Sequence, residues 1–168
     1  MKITLDDAGA GPGEILLGVE ILSGQAGDLR GIFLNLSDDS LLDGIEVTGP
    51  DVEGVERFDV VDLGHGANLH GGGSPCPCDL AIEFGTPGIG RDDIQFTSFA
   101  LSHPDVALPL SLFQGQLVGV RVTSVGTGDH REGSSKTFAI VPEPATGGLL
   151  ALGLALLSGW RRPRPRRA

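Results

Sequence analysis

The chain has no tyrosine, one tryptophan and only two cysteines in 168 residues, and most of its length carries little positive charge. Five of the twelve Lys and Arg residues, Arg161, Arg162, Arg164, Arg166 and Arg167, stand in the last eight positions. Setting those five aside takes the net charge from −10 for the whole chain to −15 for residues 1–160. A body that acidic repels a phosphate backbone, and it contains no basic stripe with interleaved aromatics, so nucleic acid is excluded as a partner. Chemical motifs are missing too: no nucleophile elbow G-x-S-x-G, no H-E-x-x-H and no phosphate loop. His65, His70, His103 and His130 and the many carboxylates therefore form no recognisable constellation, and the expectation is a protein that is not an enzyme. Helical periodicity is absent before residue 145, apart from one turn expected at 37–42.

Glycine and proline are plentiful, at 27 and 11 residues, while hydrophobic residues still make up 40%. That balance favours short strands separated by many turns, in a chain long enough for one domain with a real core. Strand-length apolar or alternating runs recur at 2–5, 14–22, 29–36, 44–48, 55–63, 79–84, 94–101, 117–125 and 137–141. Between them lie turn-rich pieces such as AGAGPG, SGQAGD, TGPDVEG and GTPGIGRDD. The fold expected for residues 1–140 is an all-β antiparallel sandwich, jelly-roll-like, followed by a single C-terminal hydrophobic helix.

Within that sandwich the runs 14–22 and 29–36 are apolar nearly throughout and predict strands covered on both faces. In 118–125, Val118, Val120, Val122 and Ser124 alternate with Gly119, Arg121, Thr123 and Val125, which predicts one dry face and one wetter one. The polar stretch 126–136 reads as a long solvated loop between two strands. A short echo joins Gly27-Asp28-Leu29-Arg30-Gly31 to Gly115-Gln116-Leu117-Val118-Gly119, as related strand entries in two halves of a sandwich would.

Two groups carry metal-ligand residue types. Cys76-Pro77-Cys78 invites a small local disulfide; with His65 and His70 it gives H-x4-H-x5-C-x-C, whose spacing matches no zinc knuckle or finger. Asp38, Asp39 and Asp43 gather oxygens of the kind a calcium ion takes, without the D-x-[DN]-x-[DN]-G pattern. A calcium-dependent, lectin-like carbohydrate-binding module is the alternative function that this acidic cluster suggests.

The C-terminal 28 residues differ from everything before them. Val141-Pro142-Glu143-Pro144 opens the segment, Ala145 to Trp160 runs 16 residues without a charge, and the arginine block closes it. As a helix, 145–160 would span about 24 Å, short of the roughly 30 Å hydrocarbon core. Its six leucines contribute about −2 to −4 kcal/mol toward insertion, with the glycines opposing. Trp160 suits the interface, and the arginines would stay cytoplasmic.

This order of Pro142-Glu143-Pro144, a short hydrophobic span and terminal arginines resembles the PEP-CTERM sorting signal of Gram-negative bacteria. The resemblance covers residues 141–168 and implies export, transient anchoring in the inner membrane and recognition by an exosortase. That enzyme would cleave at or near Pro142-Glu143-Pro144 and release the protein to the cell surface or the exopolysaccharide matrix. Proteins with such a tail carry an N-terminal signal peptide, whereas residues 1–17 hold no apolar run of seven and no small-residue cleavage site. The resemblance thus leads one to expect a leader upstream of Met1.

Overall fold

The computed structural model describes residues 1–24, 26–70, 77–87, 90–128 and 130–143. Nine strands lie among them: β1 (Lys2–Asp6), β2 (Ile15–Glu20), β3 (Ala26–Leu34), β4 (Glu46–Thr48), β5 (Val52–Val60), β6 (Cys78–Phe84), β7 (Phe96–Ser102), β8 (Leu117–Thr127) and β9 (His130–Ile140). They form a four-stranded sheet in the order β1-β2-β7-β4 and a five-stranded sheet in the order β5-β6-β3-β8-β9. Every pairing is antiparallel. The all-β expectation holds; the helix expected at 145–160 lies outside the described residues.

Side-chain alternation explains why the two sheets face each other. Ile15, Leu17 and Val19 on β2 and Phe99 and Leu101 on β7 are buried from one side, and Leu29, Ile32, Leu80, Ile82, Val118 and Val120 from the other, in one continuous core. Phe84 and Phe99 cross the gap between sheets with ring centroids 5.5 Å apart at 44°, a tilted pair contributing about 0.5–1.5 kcal/mol beyond its area.

β3 is covered on both faces, as its apolar run predicts. The second cover comes from the segment after β5, which folds back over the outer surface of the five-stranded sheet. Leu63 N–H bonds Ala67 O at 2.9 Å and Leu69 N–H bonds Val61 O at 2.9 Å, and the turn passes through Gly64 and Gly66 at φ 84° and 86°. Leu69 then joins Phe33, Val60, Cys78 and Ala81 in a separate outer cluster. Gly119 makes this possible, since a Cβ there would stand 2.8 Å from Leu69 Cδ1 and 3.1 Å from the Phe138 ring.

Four expectations need correction. The run 14–22 is not covered on both sides: on β2 only Ile15, Leu17 and Val19 are buried, Leu16 and Gly18 are half-buried and Glu20 is exposed, because among the described residues no segment forms an outer layer over β2. Residues 126–136 are not a loop, since β8 continues to Thr127 and β9 starts at His130. A polar sequence pairs there because the ladder satisfies backbone groups whatever the side chains are. Strict alternation in β8 ends at Ser124, whose φ of 50° marks a bulge between the pairs at Val122 and Val125. Val125 thereby returns to the core side in place of Ser124. The echo, finally, falls on two neighbours in one sheet, with Gly31 opposite Arg121 and Phe33 opposite Gly119. The turn expected at 37–42 is a 3-10 helix at Asp39–Gly44.

Candidate functional site

The end of β9 is fixed by a backbone clamp. After β7 the chain crosses between sheets on Leu108, Leu112 and Phe113, all buried, and turns at Gly115, φ 71°. There Gly115 N–H donates to Val141 O and Val141 N–H donates to Gln116 O, both at 2.9 Å. Val141 is half-buried against the main core. The ladder stops at the next residue, because Pro142 has no N–H to give. Pro142 and Glu143 are exposed, and Pro144 lies outside the described residues.

Proline on either side confines this short stretch to extended conformations: the ring fixes φ of Pro142, and a residue before proline is biased to β or polyproline geometry, which applies to Val141 and Glu143 alike. Glu143 Oε1 lies 4.0 Å from the position a Cβ on Gly115 would take, so the carboxylate stands over the turn that clamps Val141. The result is an exposed, extended, acidic peptide that begins one residue beyond the last backbone hydrogen bonds of the sheet.

The protein-family profile described as the PEP-CTERM protein-sorting motif matches residues 141–164. The chain carries a PEP-CTERM sorting signal. Its first matched residue is the clamped Val141, and the match takes in Arg161, Arg162 and Arg164 but stops before Arg166 and Arg167. No curated protein and no solved structure matches the chain significantly. Among the described residues no helix is long and apolar enough to cross a membrane; the span at 145–160 is not among them.

The other sequence candidates are dispersed. Asp38 caps the 3-10 helix, accepting from Ser40 N at 3.1 Å and from Ser40 Oγ at 2.6 Å, and these bonds hold its carboxyl below the usual range. Asp39 and Asp43 are exposed. His70 Nε2 meets Asp62 Oδ2 at 3.1 Å and His65 Nδ1 lies 3.6 Å from Glu83 Oε1. Cys78 is buried in the outer cluster, and Cys76, its expected disulfide partner, lies outside the described residues. Among the described residues no group of three or more His, Cys, Asp or Glu side chains is placed to hold a metal ion. His103 and Ser102 share a shallow polar cleft with Glu14 and Asp105, where His103 Nδ1 accepts from Asp105 N at 3.1 Å. His130 is exposed at the start of β9.

Two buried ions escaped the sequence reading. Asp28 and Arg30, on β3, are 0% and 1% exposed. Arg30 donates to Phe84 O and, at 3.0 Å, to Glu83 Oε1. Asp28 Oδ1 accepts from Ile94 N at 3.2 Å, while its Oδ2 has no hydrogen-bond partner among the described residues. Burial pushes the Asp28 carboxyl above its ordinary range, against the Ile94 bond and the Arg30 charge, with Asp92 and Asp93 adding to the rise. Beside it, Arg131 grips Asp93 with both terminal nitrogens at 2.6 Å and bonds Ser124 O at 2.8 Å, tying the bulge of β8 to the segment before β7. The signal for the buried pair was present as Asp-x-Arg inside a run otherwise apolar on both faces.

Proposed function

We propose that this is an exported protein of a Gram-negative bacterium, delivered to the cell surface or the exopolysaccharide matrix, in which residues 1–140 form a non-enzymatic sandwich and residues 141–168 a removable sorting tail. The observation that carries the reading is the sorting-motif match at 141–164, which begins where the last strand is clamped. In this reading an exosortase takes Pro142-Glu143-Pro144 as its substrate, the apolar span 145–160 holds the chain in the inner membrane until cleavage, and the arginines keep the end cytoplasmic. The span's length of about 24 Å against a core of about 30 Å suits temporary residence better than permanent anchoring. Exposure of Pro142 and Glu143 supports recognition of the motif without prior unfolding of the core.

The test is Glu143→Ala in an exosortase-bearing host, followed by fractionation and mass measurement of the retained chain. The expected result is loss of processing and accumulation of full-length protein in the membrane fraction. Unchanged cleavage and unchanged destination would refute the reading.

A further inference from the structure

Among the described residues β1 and β9 are the terminal strands of their sheets: β1 pairs only with β2, and β9 only with β8. Along that side no further described strand covers the sandwich. A groove of about 300 Å³ runs between the two edges, walled by Met1, Ile3 and Leu5 on one side and by Thr137, Ala139 and Val141 on the other. Thr137 and Ala139 stand opposite Val120 and Val118 in the ladder, so they share the core-facing side of the sheet. Both are nevertheless exposed, because small residues on β9 do not close the distance to β1. Among the described residues the groove lining contains no ionisable side chain. Its volume is at the small end of ligand pockets and suits a row of aliphatic side chains.

We propose that the occupant of this groove is the chain's own segment Leu150-Ala151-Leu152-Gly153-Leu154-Ala155-Leu156, lying as an added strand against the β9 edge whenever the chain is not in a bilayer. Three observations carry it. The first is position: Pro142 is itself part of the groove wall, and the seven intervening residues, 143–149, reach about 24 Å when extended, enough to turn back, with Gly147-Gly148 supplying turn chemistry. The second is pattern. Leucine alternates with Ala or Gly through seven consecutive positions, so as a strand the segment has one bulky apolar face and one smooth one; as a helix it scatters the same leucines around the axis. The third is backbone: β9 presents an edge of 11 residues, a template for strand addition in which main-chain bonds give affinity and alternate side chains enter the groove.

The consequence is a tail with two alternative seats, the groove in water and the bilayer after export. Removal of the tail then uncovers the groove. The docking does not depend on the processing reading, because it concerns the intact chain in water.

Amide hydrogen exchange on the full chain, in buffer without lipid or detergent and at two protein concentrations, tests it. The expected result is that amides of 150–156, and those of β9 facing away from β8, exchange about tenfold or more slowly than in an unstructured peptide, equally at both concentrations. Ala139→Arg, which puts a charge in the groove, is expected to return 150–156 to the unstructured rate while β3 and β6 keep theirs. Leu152→Asp, which leaves the sandwich untouched, is expected to free the outward amides of β9. Unstructured rates in the native chain would overturn the proposal. So would protection that grows with concentration, which would make a second copy the occupant, or protection of 150–156 that survives both variants.

Discussion

Arg30→Met tests whether the buried guanidinium holds β3 to β6. The side chain is 1% exposed and donates to Glu83 Oε1 at 3.0 Å and to Phe84 O. Methionine keeps most of the aliphatic volume but leaves Glu83, 12% exposed, as an acid without its cation and Phe84 O without this donor. Removing one partner of a buried pair costs about 3–5 kcal/mol. The residual solvent contact of Glu83, and His65 at 3.6 Å, place this case at the low end, about 3 kcal/mol. With an m value of about 4 kcal/mol/M in guanidinium chloride, the unfolding midpoint should fall by about 0.7 M at unchanged slope. The double replacement Arg30→Met with Glu83→Leu removes both charges and should recover to within about 1 kcal/mol of the native chain, since a buried ion pair adds little over an apolar isostere. A single variant that loses less than about 1 kcal/mol, or a double variant no more stable than the single, would refute the reasoning.

Three further outcomes follow from the buried Asp28 and from two closely packed glycines of β8. Asp28→Asn should stabilise the protein at neutral pH: burial raises the carboxyl in the folded state above its ordinary range, so the native state binds the proton more tightly and ionisation costs stability. That gain is full above the raised folded-state value and fades as pH falls through it, vanishing below the unfolded value; thermal unfolding across pH 3–8 of both chains reads it, and a gain that grows on acidification contradicts the assignment. Gly126→Ala should lower stability by about 2 kcal/mol or more, because its Cβ would stand 1.8 Å from His130 O, a backbone atom. Gly119→Ala should cost less, since the nearest atom, at 2.8 Å, is the movable end of Leu69; comparison of the two midpoints decides it.

How far the sequence could be read depended on the kind of signal. Val118, Val120 and Val122 announced a core-facing strand through period-two alternation, and the run 29–36, apolar nearly throughout, announced a strand with cover on both faces. The same rule misjudged β2, where Leu16 and Gly18 are only half-buried: a run of apolar residues reports hydrophobicity, while cover depends on whether a distant segment folds over that face. For β3 the cover is Leu69, 36 residues further along the chain than Phe33, and nothing local encodes it. Residues 130–136 were hidden for the opposite reason. Their side chains are polar on both faces of an outer hairpin, so ladder hydrogen bonding, which leaves no trace in side-chain pattern, decides their structure. Asp28 and Arg30 were visible as charges but not as buried ones, because their partners Ile94 and Glu83 are far along the chain. At the candidate site the sequence supplied Pro142-Glu143-Pro144; that the sheet holds on until Val141, one residue before it, came only from the structure.

The order in which strands find partners bears on timing. β2 is completed by β7, and β3 by β8, which ends at Thr127, so the centre of each sheet waits for residues from the last half of the chain. Pairings so far apart in sequence close slowly and late. On the proposed export route, a chain fed through a secretion pore from its N-terminus would therefore stay threadable until β8 and β9 emerged, and immediately behind them come Pro142 and Glu143. The sandwich would close at the moment its address reaches the pore. Folding, by that schedule, would act as a brake that lets the body finish on the far side while the tail is still inside.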